Sequence, residues 1–291
     1  MRIPSLLASL LCAAALAGPA LANDGRSGGK LLLTDGVSTV EGSGGGGLAT
    51  WAVIAGNETE RGIGASAHAT LVALPDFTLR AGGAAVGIYD RIELSYTRQE
   101  FDTDRAGAAL GLGRGFTFAQ DVYGAKLRVA GDAVWAQDTL LPQLAVGVQH
   151  KVANQGAVIA AVGGRDRSGT DYYASATKLV LSQGLLLNAT ARWTRANQFG
   201  LLGHGGDRED GYRLQPEGSV AKMLSRRLVV GAEYRAKSDG LGFARENDAW
   251  DAFVAWAPQR NVTFTAAYVD LGDIATFRRQ RGLFVQLQGA F

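Results

Sequence analysis

The sequence predicts an all-β fold: a single-chain antiparallel transmembrane β-barrel of about 14 strands (range 12–16), with short periplasmic turns and longer external loops. Three features predict it: an export signal at the N-terminus, segments of about ten residues that alternate in polarity, and connections that alternate between long and short. The chain has 40 glycines and 47% hydrophobic residues, a composition typical neither of a helical bundle nor of a disordered chain.

The start of the chain is organised like a secretory signal peptide. Arg2 is followed by the apolar run Leu6–Ala17 and by the small-x-small cleavage motif Ala20-Leu21-Ala22. We therefore expect residues 1–22 to be removed, and the mature chain to pass through the periplasm to the outer membrane of a Gram-negative cell. The single cysteine, Cys12, lies in the removed segment, so the mature chain can form neither a disulfide nor a cysteine metal site.

The mature chain is nearly neutral. Removing Arg2 from the 29 basic residues leaves 28 against 27 acidic residues. This balance gives no one-sided charge that would attract nucleic acid. No residue pattern indicates a metal or another cofactor, and we predict none.

Alternation is clearest in the C-terminal third. Arg281–Phe291 keeps period two to its last residue, with Leu283 and Val285 on one face. In Asp248–Ala257, Trp250 and Trp256 share a face and are about 20 Å apart at 3.3 Å per residue, which suits two aromatic girdles bounding an apolar band. The predicted girdle residues are Trp250, Trp256, Tyr234 and Tyr268.

Fourteen segments are predicted as strands by the same alternation. They are Leu48–Gly56, Gly62–Val72, Phe77–Tyr89, Ile92–Phe101, Val122–Gly131, Gln143–Val152, Gln155–Gly163, Asp171–Leu181, Leu185–Ala196, Tyr212–Lys222, Arg227–Ala236, Asp248–Ala257, Asn261–Asp270 and Arg281–Phe291. The barrel would then occupy residues 48–291.

The lengths of the connections give the barrel an orientation. Long and short connections alternate backwards from the C-terminus, which places both termini on the periplasmic side and Asp132–Pro142 among the external loops. The rule fails at Asp102–Asp121, a long connection that falls on the periplasmic side. The Gly-rich segment 23–47, which contains Lys30–Glu41 and Ser43–Gly47, is a first strand, a periplasmic extension or a plug in the lumen.

Charged residues within strands should point into the lumen, because Arg or Lys facing lipid at mid-membrane costs about 2–4 kcal/mol. Two interpretations are open: a constriction that selects solutes by charge, or interior ion pairs that stabilise a filled barrel, which the mixed signs favour. Lys178 breaks the rule, so it either snorkels to the interface or its register is wrong. The lumen-facing candidates are Glu93, Lys126, Arg128, Arg192, Arg213, Glu217, Glu233 and Arg235.

No catalytic constellation is evident, and we predict that the protein is not an enzyme. Ser66 and His68 share one face of a strand, but their i, i+2 spacing separates them by nearly 7 Å, roughly, which is too far for a direct hydrogen bond. A hydrolase of the outer-membrane phospholipase kind is therefore the least favoured function.

Several blocks, in order, resemble the secreted family numbered 3034 among domains of unknown function. They include KLLLTDGVSTVEGSGGGGLATWAVI, GIYDRIELSY, LPQLAVGVQHK and GTDYYASATK, followed by RANQFGLLGHGGDR, VVGAEYRAK and AAYVDLGDIA. The resemblance covers essentially the whole mature chain. It implies an outer-membrane β-barrel and carries no established activity.

Together these features favour a porin-like channel for passive diffusion or uptake of a small solute. The alternative is a non-conducting barrel with a structural or adhesive role in the envelope. The expected partners are outer-membrane lipid, an unknown small solute and the barrel assembly machinery. The last is expected because Phe291, an aromatic residue ending an alternating strand, resembles the sorting signal that this machinery reads.

Overall fold

The computed structural model describes residues 30–57 and 60–291, so the predicted signal peptide lies outside the described residues. Within them, twelve strands form a closed barrel in which every neighbouring pair is antiparallel. The last strand, Arg281–Ala290, pairs with the first wall strand, Ile63–Ala73, and closes the wall. The predicted all-β antiparallel barrel is confirmed. The number of strands is at the lower end of the predicted range and below the central value of 14.

The wall is a meander of hairpins. Its strands are β3 (Ile63–Ala73), β4 (Thr78–Ile88), β5 (Ile92–Asp102), β6 (Thr117–Ala130), β7 (Gln143–Ala153), β9 (Ser168–Val180), β10 (Leu185–Thr194), β12 (Arg213–Ser225), β13 (Leu228–Arg235), β14 (Ala249–Gln259), β15 (Val262–Asp270) and β16 (Arg281–Ala290). Two small sheets are not part of the wall. One is formed by β1 (Val37–Ser38) with β2 (Gly44–Gly45), and the other by β8 (Gly164–Asp166) with β11 (His204–Gly206).

Two predicted strands are wrong. Leu48–Gly56 lies inside the barrel, where its apolar residues are buried without pairing into the wall. Gln155–Gly163 contains the helix Gly156–Ala161. Periodicity cannot separate a strand from a helix in so short an apolar run.

The miscounted strand at Gln155–Gly163 also reverses part of the predicted orientation. One rim, which we call the long-loop rim, carries the short connection 74–77 and the long connections 103–116, 154–167, 195–212, 236–248 and 271–280. The opposite rim, the short-turn rim, carries both ends of the wall and the connections 89–91, 181–184, 226–227 and 260–261. Loop 103–116 thus joins the other long loops. Loop 131–142, which was predicted to be external, lies instead at the short-turn rim. Because residues 155–163 do not cross the wall, every connection that precedes them lies at the rim opposite to the predicted one.

The two faces of the wall have opposite chemistry. Along β5, Leu94 and Tyr96 are exposed, whereas the polar residues Glu93, Ser95 and Thr97 that alternate with them are buried. A barrel that folds in water would bury its apolar face and expose its polar face; this wall does the reverse. The exposed apolar band therefore identifies a membrane-spanning barrel. Among the described residues, no helix is both long and apolar enough to cross a membrane.

Two lysines of the outward-facing register also fit a membrane-embedded wall. The Lys178 ammonium donates hydrogen bonds to the carbonyl groups of Ala136 and Leu141, and the Lys222 ammonium donates to the carbonyl of Gln183. All three acceptors lie at the short-turn rim. The lysines thus carry their charge out of the apolar band along their aliphatic stems, as snorkelling side chains do.

Candidate functional site

A segment of the chain fills the lumen. Residues 30–57, which we call the plug, begin and end at the short-turn rim, where the Lys30 ammonium lies 3.2 Å from the Asp90 carboxylate and Asn57 donates to the Ala290 carbonyl. Every plug residue from 33 to 56 is buried. Eight strands enclose only side chains, so twelve leave room for this additional segment.

Glycines allow the plug to turn tightly against the wall. Gly42 has φ +90°, and a Cβ there would clash with the Thr97 hydroxyl of β5. A Cβ on Gly46 would clash with the Glu233 carboxylate of β13. The plug backbone therefore lies directly on wall side chains at these positions, a closeness that only glycine permits.

Six buried charged groups join the plug to the wall near the long-loop rim. We call them the Glu41 cluster: Glu41, Lys151, Asp171, Arg192, Glu217 and Arg235. Glu41 is the only member from the plug. Its carboxylate accepts hydrogen bonds from the Lys151 ammonium and from Arg235 Nη2, the latter at 2.8 Å.

The cluster is balanced, with three carboxylates and three cations. Asp171 Oδ2 lies 2.8 Å from Lys151 Nζ and 3.5 Å from Arg192 Nη1, and Glu217 accepts from Arg192 Nε. Arg192 also donates to the Thr50 hydroxyl of the plug over 2.9 Å. Buried charges are tolerated when each is paired and hydrogen-bonded in this way.

A second contact lies on the neighbouring strands β5 and β6. Lys126 and Glu93 form a buried ion pair with Nζ and Oε2 3.1 Å apart. Glu93 accepts from the backbone NH groups of Gly44 and Ala55, and Lys126 donates to the carbonyls of Gly44 and Val53. The pair therefore hydrogen-bonds backbone groups on both arms of the plug, at Gly44 and at Val53 and Ala55.

A third contact centres on Glu233. Its Oε2 accepts from the backbone NH groups of Leu48, at 2.8 Å, and Ala49, at 3.3 Å. Trp51 Nε1 of the plug donates to Glu233 and to the Ser219 hydroxyl, the latter at 2.8 Å. Strand β13 thus holds the plug through one acidic side chain and its neighbours.

The lumen-facing candidates therefore divide into two groups. Glu93, Lys126, Arg192, Glu217, Glu233 and Arg235 are buried and all contact the plug. Arg128 lies at the short-turn rim, bonded to Asp90 and Asp132. Arg213 is exposed at the long-loop end of β12, paired with Glu209.

The four girdle candidates are exposed on the outer wall. Tyr234, Trp250 and Tyr268 lie near the long-loop rim, and the rings of Trp250 and Tyr268 are 5.8 Å apart. Trp256 lies near the short-turn rim, with its ring stacked 6.0 Å from Phe264.

Three members of the Glu41 cluster are absent from the sequence-based candidates: Lys151, Asp171 and Glu41. Asp171 shares the inward register of Ser175 and Thr177 in β9. Lys151 shares the inward register of Ala145 and Gln149, so the alternation rule applied through the end of β7 would have found it. Glu41 carries no such signal, because nothing in a Gly-rich segment shows where its single carboxylate docks.

The loops of the long-loop rim bury two further titratable groups, Glu246 and Lys237. Glu246 accepts from the Gln198 backbone NH over 3.0 Å, and Lys237 donates to the Leu271 carbonyl over 2.8 Å. Burial raises the pKa of Glu246 to about 7, although the nearby Lys237 opposes this shift. Burial also lowers the pKa of Lys237.

The residues considered for catalysis do not form a site. Ser66 and His68 are both buried in the lumen wall. Within the described residues, neither the Ser66 hydroxyl nor either ring nitrogen of His68 has a hydrogen-bond partner. There is thus no activated serine here.

Residues 34–288 match the family described as "Protein of unknown function (DUF3034)". The chain belongs to this family. No curated protein matches this DUF3034 chain.

Solved structures to which the chain is similar include membrane barrels with different activities. The KdgM porin is 9% identical, with 78% of this chain and 99% of that chain covered and a TM-score of 0.49. The COG4313 outer membrane channel from Pseudomonas putida F1 is 11% identical, with 82% and 96% covered and a TM-score of 0.49. Outer membrane phospholipase A from Escherichia coli is 9% identical, with 78% and 92% covered and a TM-score of 0.42. Similarity at this level transfers no activity to this chain.

Proposed function

We propose that this protein is a porin-like channel of the outer membrane that is closed at rest by its plug and admits a small solute when the plug moves. The way in which the plug is attached to the wall supports this function. It forms hydrogen bonds and ion pairs with inward-facing side chains but adds no strand to the wall. Such a segment can leave while the wall keeps all its backbone pairing.

The orientation proposed for the channel follows from the rims. The long-loop rim faces outward and the short-turn rim faces the periplasm, since outer-membrane barrels carry long external loops and short periplasmic turns. Cleavage after Ala22 and recognition of the C-terminal strand, ending at Phe291, by the barrel assembly machinery belong to the same proposal. Phe291 exchanges backbone hydrogen bonds with Ala65 at the closing seam, which suits a strand that is inserted last.

A filled lumen favours a second candidate, a non-conducting barrel with a structural or adhesive role. The two candidates differ in whether the plug ever moves. A hydrolase is not proposed, because Ser66 and His68 make no hydrogen bond with each other.

Single-channel recording on the refolded full chain in planar bilayers separates the two candidates. Gly42→Ala pushes the plug away from Thr97, and overpacking of this kind costs about 1–3 kcal/mol, so the open fraction should rise by roughly tenfold. Gly113→Ala is the matched control: Gly113 has nearly the same φ, +92°, but a Cβ there meets nothing within 4 Å. Gly113→Ala should behave like the wild type.

The recordings have a clear opposing outcome. If inserted wild-type and Gly42→Ala proteins both show no stepwise current at either polarity, the channel proposal fails and the non-conducting barrel is correct. If Gly113→Ala opens the barrel as much as Gly42→Ala does, contact with the wall does not hold the plug closed.

A further inference from the structure

An apolar cavity lies at the long-loop rim, above the plug. Its volume is about 120 Å³. The wall contributes the ends of β4, β5 and β6, and the external loops contribute the rest. The principal lining residues are Phe77, Leu79, Phe101, Phe118, Phe199 and Ile274.

The lining offers no unused polar group. Of the described residues that line the cavity, none is charged, and the two with hydrogen-bonding side chains are Thr103 and Gln198. The Thr103 hydroxyl donates to the Phe116 carbonyl over 2.7 Å, and Gln198 Nε2 donates to the Asp273 carbonyl over 3.2 Å. A ligand with a charge or a strong hydrogen-bonding group would lose its water here without compensation.

Size and shape narrow the ligand further. A cavity of about 150 Å³ lined by Leu, Ile and Phe stays dry and binds benzene. This cavity is slightly smaller, so it fits a single ring with at most one small substituent. Phe77 stacks on Phe101 with ring centroids 5.1 Å apart and meets the edge of Phe277 at 5.5 Å. These rings present both faces and edges, which are the surfaces that aromatic partners prefer.

We propose that this cavity binds a small uncharged aromatic hydrocarbon of the size of benzene or toluene. One lining residue, Phe199, contacts the residues that close the lumen. The Phe199 carbonyl accepts from Lys151 Nζ over 3.1 Å and from Gln120 Nε2 over 3.2 Å, and the Arg235 guanidinium lies 4.4 Å from the Phe199 ring. A ligand here is thus one residue away from the Glu41 cluster. That this ligand is the solute of the channel rests on the proposed function, whereas its binding does not.

Binding is measured by ¹⁹F NMR, with fluorobenzene as the probe and the full chain in lipid nanodiscs. Empty nanodiscs give the signal from partitioning into lipid. Saturable binding above that level is expected. 4-Fluorobenzylammonium, which has a similar ring with a charge, should bind at least about tenfold more weakly, because the cavity cannot solvate it.

A pair of adjacent helix residues supplies the variants. Val158 lines the cavity, and Val158→Phe should fill it and weaken fluorobenzene binding by about tenfold or more, since cavities reject added volume. Ala157 is exposed and does not line the cavity, so Ala157→Phe should bind like the wild type. The comparison of the two probes on wild-type protein needs no variant to fold.

Each result decides something. If Val158→Phe binds fluorobenzene as well as Ala157→Phe does, or if the charged probe binds equally well, the cavity is not an aromatic site. If the wild-type protein conducts but does not bind fluorobenzene, the proposed cavity site is wrong and the proposed channel stands. Saturable binding in a barrel that never conducts supports the cavity site and overturns the channel.

Discussion

Glu41 and Arg235 are 194 residues apart in the chain, and Arg235 Nη2 lies 2.8 Å from Glu41 Oε2 in the buried lumen. Glu41 also accepts from Lys151, and Arg192 is 4.0 Å away. One plug carboxylate thus faces three cations of the wall. Breaking a buried ion pair by removing one partner costs more than forming the pair gains, because the remaining charge stays buried and uncompensated.

Glu41→Gln should therefore loosen the plug without unfolding the wall. Removing one partner of a buried pair costs about 3–5 kcal/mol, which corresponds to a rise of at least about a hundredfold in the opening equilibrium of the plug. Hydrogen exchange of the amides of residues 30–57, measured in nanodiscs, should accelerate to that extent, while the amides of β14 and β15 exchange as before.

Asp138→Asn is the control for this change in charge, because Asp138 is an exposed carboxyl group in loop 131–142. In Asp138→Asn, the amides of residues 30–57 should exchange at the wild-type rate. Unchanged exchange of residues 30–57 in Glu41→Gln would mean that the Glu41 cluster does not hold the plug.

Trp51→Phe tests the contact with β13. The substitution keeps an aromatic ring but removes Nε1, which donates to Ser219 and Glu233. Both hydrogen bonds are buried. Loss of one partner of a buried polar group costs about 1–3 kcal/mol. We expect plug exchange to rise by about ten- to a hundredfold.

Trp135→Phe provides the comparison, since Trp135 is 63% exposed in loop 131–142. Equal exchange in the two variants would show that the indole donor of Trp51 contributes nothing to closure.

The wall was predictable because a membrane imposes one rule on every strand. Each strand must alternate, so the predicted segments from Asp171 to Phe291 coincide closely with β9, β10 and β12 to β16. The errors arose where that rule does not apply. The helix at Gly156–Ala161 lies in a loop, and the apolar residues of Leu48–Gly56 are buried by the lumen and not by lipid.

The candidate site was predictable only on its wall side. Alternation assigns Glu93, Arg192 and Glu233 to the interior, but no local pattern specifies the partner that each will bind. That partner is set by contacts such as Glu93 with Ala55 and Glu233 with Leu48, which are distant in sequence. The cavity at the long-loop rim likewise combines loops and strand ends, so nothing in the sequence marks it.

Val254→Arg tests the membrane position of the apolar band. Val254 is exposed on the outer face of β14 between Trp250 and Trp256. An arginine at the bilayer midplane costs about 2–4 kcal/mol, and the cost falls to about 0–1 kcal/mol near the interface. The free energy of unfolding from lipid vesicles, measured by denaturant titration, should fall accordingly.

Leu224→Arg is the matched substitution near the short-turn end of β12, where the side chain is also exposed. It should lower the free energy of unfolding by no more than about 1 kcal/mol. Equal losses for the two variants would contradict the position assigned to the band.

The loops of the long-loop rim should be more firmly closed in acid than at neutral pH. In the folded state burial raises the pKa of Glu246 from 4.5 to about 7, although Lys237 opposes the shift. Because the folded state holds this proton more tightly than the open state, the stabilisation is complete below pH 4.5 and is lost as the pH rises through 7. Protection of the Gln198 amide and of loop 236–248, corrected for intrinsic exchange rates, should be greater at pH 5 than at pH 7.5.

Glu246→Gln separates this titration from other effects of pH on the loops. The amide has the size of the protonated acid and keeps an acceptor for the Gln198 backbone NH, which Glu246 binds over 3.0 Å. Its protection should lose most of the wild-type difference between pH 5 and pH 7.5, because nothing at position 246 titrates. Greater wild-type protection at pH 7.5, or an undiminished difference in Glu246→Gln, would show that another group controls the loop.

His204 is the alternative, since burial lowers its pKa to about 4 and its contribution to stability is lost in acid, the opposite direction. The sign of the pH effect therefore identifies which buried group governs the closure above the cavity.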